Sequence, residues 1–297
     1  MVTLDFHHIL QFWFSFNLYK SCNCISSLDI SKDLLGLSQD NNELIEIIQD
    51  KLILKPSSEE YNLSDPKLWI KGQHGQPFEV EKIFKGKKNG FYIEAGAFDG
   101  EAFSNTLLFE LKHNWTGLLV EPNPDNFKQL LEKKRKAYSL ESCFSTEKKV
   151  SNVDFDAAGA YGGIINGINK PAETPNTHKE GQARVLGKKA RFPYKRRTMK
   201  LQCLPLTSII MAMGNPIIDY LSLDIEGAEL SVLKTIDFDK IKINVISFEY
   251  TKIGNIFNET QKHMEYFMKQ NGYKFYTRVG EDHIYVKEEL YKNKDEL

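Results

Sequence analysis

Three carboxylates fall within six residues in the second half of the chain: Asp224, Glu226 and Glu229, in the stretch 218–230, I-D-Y-L-S-L-D-I-E-G-A-E-L. Acids this close can orient a hydroxyl, accept its proton, and raise one another's pKa by repulsion. The nearly unbroken apolar run before Asp224 reads as a strand buried on both faces. Such a strand belongs inside a parallel sheet covered by helices. Carboxylates at its carboxyl end then stand on the rim where open α/β sheets bind ligands. A plainer role is also open to Asp224 and Glu229, because negative charge at a helix start favours the helix dipole.

A second chemical motif lies at 91–100, F-Y-I-E-A-G-A-F-D-G. It reads as strand, then a turn with Gly96 and Gly100, then a helix. Glycines there let backbone approach a ligand closely and bring helix-terminal N–H groups near it. The spacing is G-x-x-x-G rather than G-x-G-x-x-G, which argues against a dinucleotide site and against a nicotinamide oxidoreductase. The next predicted strand ends L-L-V-E-P-N-P, with Glu121 at its tip, 21 residues after Gly100. An acid in that place hydrogen-bonds ribose hydroxyls in Rossmann-type folds, and a carboxylate can accept two such bonds. Its alternative is to cap the helix that follows. Glycine turn and tip acid together indicate a nucleoside-bearing cofactor without a diphosphate.

These residues need a rigid frame, and the surrounding pattern supplies one. Strands are predicted at 91–95, 116–121 and 137–143, with helices running to about Lys112 and over 125–136, the latter opened by Asn123 as cap and Pro124. Further strands at 199–204, 218–224 and 243–249 alternate with helices at 208–213, up to Lys234, and at 259–270. Strands separated by helices make βαβ units, hence a parallel α/β sheet with right-handed crossovers. The segments 273–279 and 283–287, joined by Gly280-Glu281-Asp282, read instead as a hairpin at the sheet edge. Upstream, 41–54 is predicted as a short amphipathic helix stopped by Pro56, and a loop-like stretch reaches Gly90. The chain thus divides into an appendage, 1–55, and a domain, 56–297. A basic insertion interrupts the domain at 146–200. Within it, 179–200 holds nine Lys or Arg against one Glu. This run reads as a solvated insertion loop, or as a contact for anionic headgroups or an acidic partner.

The 297 residues include 39 Lys or Arg and 40 Asp or Glu, a net charge of −1, so overall electrostatics predicts no nucleic-acid partner. No apolar run reaches the roughly 18 residues of a membrane span. Residues 9–19, I-L-Q-F-W-F-S-F-N-L-Y, have the length of a signal-peptide core, or form an amphipathic or buried segment of the appendage. The chain ends K-D-E-L, an address read by a retrieval receptor of the endoplasmic reticulum, which points to the secretory pathway rather than the cytoplasm. Of the four cysteines, Cys22, Cys24, Cys143 and Cys203, the pairing Cys143–Cys203 is the first to test in a lumenal protein, among three connectivities. No Cys or His set has zinc-ligand spacing, so no structural metal is expected. Sequons at Asn62, Asn114 and Asn258 permit glycosylation.

The segments F-Y-I-E-A-G-A-F-D-G-E, L-L-V-E-P-N-P and Y-L-S-L-D-I-E-G-A-E-L closely resemble the FkbM-type methyltransferase domain, over about 90–286. The resemblance implies a Rossmann-like S-adenosylmethionine methyltransferase fold, with a mostly parallel seven-stranded sheet and a terminal antiparallel hairpin. It implies S-adenosylmethionine as cofactor and O-methylation as the reaction. By position, Glu94, Gly96, Asp99 and Gly100 line the methionine side, and Glu121 with Asn123 beside it holds the ribose. Ser142 and Cys143 open the stretch near the adenine. Asp224, Glu226 and Glu249 face the substrate mouth as candidate catalytic residues for a small-molecule, protein or glycan acceptor that the sequence does not name. S-N-T-L at 104–107, W-T-G-L-L-V-E-P-N-P, and the cysteines in E-S-C-F-S and before Pro205 are similar to the Star-like secretory-pathway branch. That branch is associated with the endoplasmic reticulum, Golgi and endosomes, and implies a second reading, a non-catalytic domain that moves membrane cargo.

Overall fold

The computed structural model describes residues 34–165, 178–185, 188–250 and 260–291. Residues 9–19, Cys22, Cys24, Asn258 and the K-D-E-L terminus lie outside the described residues. In chain order the first strands are β1 (Phe91–Ala95), β2 (Thr116–Val120), β3 (Tyr138–Leu140), β4 (Cys143–Phe144), β5 (Ser151–Ala157) and β6 (Gly163–Ile165). They continue as β7 (His178–Val185), β8 (Lys188–Lys195), β9 (Arg197–Leu204), β10 (Ile218–Leu223), β11 (Ile243–Glu249), β12 (Tyr273–Val279) and β13 (Asp282–Lys287).

The two-faced apolar run is β10, all six of whose residues are buried. It pairs in parallel with β1 on one side and β11 on the other. Strands β2 and β3 extend the sheet in parallel beyond β1, and β13 and β12 close the other end antiparallel, giving the order β12-β13-β11-β10-β1-β2-β3. The protein is therefore a mixed α/β fold with a large, mostly parallel sheet. Tyr92, Tyr220 and Leu119 from the sheet pack with Phe109, Trp115, Phe127 and Leu130 in one core cluster.

Helices are α1 (Asn42–Ile47), α2 (Pro66–Trp69), α3 (Gln76–Phe84), α4 (Leu107–His113), α5 (Pro124–Glu132), α6 (Leu206–Ala212), α7 (Glu229–Leu233), α8 (Gln261–Gln270) and α9 (Glu288–Tyr291). The Asn123-Pro124 start is as read: Asn123 accepts the Asp125 amide at 3.1 Å, and Phe127 and Leu130 face inward. Among the described residues no helix is long and apolar enough to cross a membrane.

Four differences from the sequence reading have physical causes. Residues 56–90 are not a simple loop, since α2 and α3 form there, each with proline in its first turn. Residues 34–54 pack with the main body rather than forming an appendage: Leu44 and Ile48 are fully buried, Leu54 pairs with Ser139, and Ser208 donates to the Gln39 carbonyl. Residues 34–297 accordingly make one compact unit. The predicted strand at 137–143 breaks in two, because β4 leaves the main sheet and joins β9. The order β4-β9-β5-β6 makes a second sheet that takes in the two ends of the insertion, which is therefore not a plain loop. A disulfide links Cys143 to Cys203 across the β4–β9 pair.

The helix predicted directly after Gly100 begins only at Leu107. The intervening chain is held by a buried polar network instead. Arg135 follows α5 in a run, E-K-K-R-K, that reads as solvated, yet its side chain is 1% exposed. Its Nε donates to Glu110 at 3.0 Å, and its Nη atoms reach the Gly100 carbonyl, the Tyr92 hydroxyl, Ser104 and Thr106. Glu110 also accepts from the Tyr92 hydroxyl at 2.5 Å and from the Lys136 amide at 2.7 Å. Burial, the largest single influence, pushes the Glu110 carboxyl up, but the Arg135 charge and the hydrogen bonds from Tyr92, Lys136 and Arg135 together outweigh it, and the net shift is downward. The pair is therefore ionised in the interior, and each charge depends on the other. Arg135→Ala would leave Glu110 without its counter-charge and is expected to destabilise the fold by about 3–5 kcal/mol. Urea unfolding with an unchanged m-value checks this, and a loss below about 1 kcal/mol would contradict it.

Candidate cofactor and substrate site

Three strand ends converge because one residue has no side chain. Gly96 follows β1 at φ +80°, and a Cβ there would lie 2.0 Å from the Asp224 carbonyl oxygen. The Gly96 and Ala97 amides both donate to the Val120 carbonyl at 3.1 Å, while Asp224 donates its amide to Ala95 at 3.1 Å. The carboxyl ends of β1, β2 and β10 are thereby locked level with one another, which brings Gly96, Glu121 and Asp224 to one rim.

Behind the rim, Glu94 organises the turn that follows. Its Oε1 accepts the Asn105 amide at 2.5 Å, and its Oε2 accepts the Ser104 and Thr106 hydroxyls at 2.9 and 2.5 Å. This takes residues 104–106 out of helical bonding and explains the late start of α4. Asp99 Oδ1 accepts the amides of Glu101 and Ala102, so it stabilises its own turn.

Glu121 sits at the β2 tip, 4% exposed. Its Oε2 accepts the Phe98 amide at 2.8 Å, and its Oε1 accepts the Asn123 amide at 2.8 Å and the Asn126 side chain at 3.3 Å. An ionised carboxylate offers about four acceptor positions, so Oε2 keeps one for a further donor. Burial raises the Glu121 pKa to about 8, despite those three hydrogen bonds.

Two cavities meet at Gly96, Phe98 and Asp224. The first spans about 610 Å³ when its open mouth is included. Glu121, Ser142 and Cys143 line it together with apolar walls from Phe98, Phe144 and Phe155, and with the turn at 159–164. The second is acidic, lined by Glu94, Asp224, Glu226, Glu249, Glu281 and Asp282. One oxygen each of Asp224, Glu226 and Glu249 lies within 4.8 Å of the others. That spacing is within reach of a single cation, with carboxylates rather than Cys or His as the donors. A cluster of acids does not by itself make a metal site.

Asp224 is exposed where it opens onto the cleft, yet its carboxyl is crowded by the surrounding protein. Burial there pushes its pKa well above the usual carboxylate range, and Glu226, Asp282, Glu249 and Glu229 push the same way. Glu226 holds a left-handed backbone, φ +59°, unusual for a residue with a side chain. Glu229 is fully buried in the turn it caps, accepting the Ile225 and Gly227 amides, with burial raising its pKa to about 7.

The structure therefore brings Gly96, Glu121, Ser142, Cys143 and Asp224 to the first cavity, and Glu94, Glu226 and Glu249 to the second. Asp99, Gly100 and Asn123 line neither cavity. Asp99 and Asn123 cap turns, and Gly100 packs on Leu130 in a conformation, φ +79°, that disfavours a side chain. Sequence reading did not single out Asp282 or the aromatic walls. Asp282 enters because β13 runs antiparallel to β11, placing it opposite Glu249. Its pKa is raised to about 6, chiefly by burial.

A family model described as the methyltransferase FkbM domain matches residues 94–275, well over half of the chain. No curated protein matches it.

Two outcomes follow from the geometry. Gly96→Ala cannot keep both the left-handed turn and the Asp224 contact, and is expected to cost about 2 kcal/mol or more in a denaturant melt. Glu121, with a folded pKa above its unfolded value, contributes stability that is fully present below about pH 4.5 and is lost as pH rises through about 8. Thermal unfolding of Glu121→Gln across pH 4–8, relative to the parent protein, is expected to show a shallower loss by a few kcal/mol. Parallel pH profiles would contradict this.

Proposed function

The chain belongs to the methyltransferase FkbM domain family, and on that footing we propose that it transfers a methyl group from S-adenosylmethionine to an acceptor hydroxyl. The observation that carries the reading is the shared rim: a glycine turn whose missing Cβ leaves room for close approach, an acid at the β2 tip, and a crowded acid at the β10 tip. The residues present fit the cofactor. Glu121 Oε2 would accept a ribose hydroxyl, and Ser142 and Cys143 with the Phe98, Phe144 and Phe155 walls would hold the adenine. When bound, S-adenosylmethionine supplies an electrophilic methyl group on a sulfonium.

The chain's own residues then position the acceptor and manage its proton. Asp224 stands where both cavities meet, so it is the carboxylate best placed to orient an acceptor hydroxyl toward the cofactor side. Asp224 would take the acceptor's hydroxyl proton, while the methyl–sulfur bond breaks and leaves the cofactor as the neutral thioether. Its raised pKa makes it a stronger base than an ordinary carboxylate, at the cost of a smaller ionised fraction. Glu226 and Glu249 act on Asp224 by keeping that pKa high and by accepting further acceptor hydroxyls. The proposal names no acceptor.

The setting we propose is the lumen of the secretory pathway, with retrieval through the K-D-E-L sequence. The Cys143–Cys203 disulfide supports it, since such bonds persist in oxidising compartments. The same observation favours a second reading, a Star-like domain that handles membrane cargo without catalysis, because S-adenosylmethionine is made in the cytosol.

Calorimetry of the full chain with S-adenosylmethionine separates the two readings. Micromolar binding that weakens about 100-fold in Glu121→Ala supports the enzyme. No heat at millimolar cofactor from a folded sample would sink it and leave the cargo reading standing.

A further inference from the structure

The densest charge in the chain lies outside the residues that line the two cavities. Residues 179–200 carry nine Lys or Arg and one Glu, a net +8 in a chain whose total is −1, which leaves −9 for the rest. Among the described side chains, Arg196 pairs with Asp156, Arg197 with Asp125, and Lys200 with Asp154. The other six stand on β7 and β8, which among the described residues form a two-stranded sheet of their own.

The register of that ribbon sorts its residues. Directly opposed residues share a face, and faces alternate along each strand. His178↔Lys195, Glu180↔Pro193, Gln182↔Arg191 and Arg184↔Lys189 fall on one face. Lys179↔Tyr194, Gly181↔Phe192, Ala183↔Ala190 and Val185↔Lys188 fall on the other. One face therefore carries Arg184, Lys189, Arg191 and Lys195. The opposite face carries Ala183, Val185, Ala190, Phe192 and Tyr194, with a lysine at each end.

We propose that the β7–β8 ribbon binds the surface of an anionic phospholipid membrane. Cations concentrated on one face meet headgroup phosphates, and an apolar, aromatic face bordered by lysines suits the boundary between headgroups and acyl chains. A merely solvated loop requires no such sorting. An acidic peptide or a nucleic acid would use the basic face and leave the apolar one without a role. The ribbon also neighbours the turn Gly159–Tyr161, whose residues line both cavities. Membrane attachment at β7–β8 thus brings the cleft mouth to the lipid surface.

Co-sedimentation of the full chain with vesicles tests this. Binding is expected to phosphatidylcholine vesicles containing roughly 30% phosphatidylserine, not to phosphatidylcholine alone, and to fall steeply with added salt. The variant Lys188→Gln/Lys189→Gln/Arg191→Gln is expected to bind about tenfold more weakly or worse. Phe192→Ser/Tyr194→Ser is expected to weaken binding as well. Because the ribbon pairs with itself, both variants should keep the parent melting temperature, which is measured alongside. Lys128→Gln/Lys262→Gln/Lys269→Gln removes the same charge from exposed helix positions and should bind like the parent. Absence of binding to the anionic vesicles overturns the proposal, as does equal weakening by the ribbon and control variants. Preferential capture of polyglutamate or RNA through the same cations also overturns it.

Discussion

A single buried guanidinium holds the functional end of this protein in place. Arg135 binds Glu110 of α4, the Tyr92 hydroxyl of β1, the Gly100 carbonyl of the glycine turn, and the Ser104 and Thr106 hydroxyls. Those two hydroxyls in turn donate to Glu94, so the turn that follows β1 is fixed from both sides. A planar group with five donors can satisfy several acceptors at once, which a lysine in the same place could not do. Without it, Glu94 and Glu110 would be two buried carboxylates with no cation between them.

The acids at the rim are unusual for two different reasons. Glu121 stands apart from the crowd, and its raised pKa comes mainly from burial, which the amide donors oppose and Asp99 slightly reinforces. Asp224 is crowded, with four other acids adding to the effect of burial. An isolated acid with one open acceptor position suits holding a neutral hydroxyl-bearing ligand. A crowded acid facing a cleft suits exchanging a proton. The strand register that sets Glu249 opposite Asp282 is what completes the crowd.

The insertion proves to be architecture rather than ornament. Its strands β5 and β6, together with β4 and β9, make a second sheet. Phe155, Gly159 and Ile164 from this region close the first cavity opposite the main sheet. Cys143 lines that cavity and is bonded to Cys203, so the wall is covalently tied to the strand that leads back into α6. Closing a loop of about 60 residues stabilises the folded chain by about 4 kcal/mol in the chain-entropy picture.

Local pattern was enough to place the strands at 91–95, 116–120 and 218–223, the Asn123-Pro124 helix start, the terminal hairpin, and the acids at 121 and 224. Each of these is written in residues close together in the chain: an apolar run, a cap, a glycine turn. Arg135, the delayed start of α4, the cavity walls and the role of Asp282 were not legible in that way. Arg135 looks like one more charge in E-K-K-R-K until Glu110, 25 residues earlier, is folded against it. Likewise the pKa of Asp224 depends on Glu249 and Asp282, which only sheet pairing brings near. Periodicity and turn chemistry act within a few residues and can be read directly. Desolvation and counter-charge act through space, so the fold alone decided which of the chain's many acids and bases came to matter.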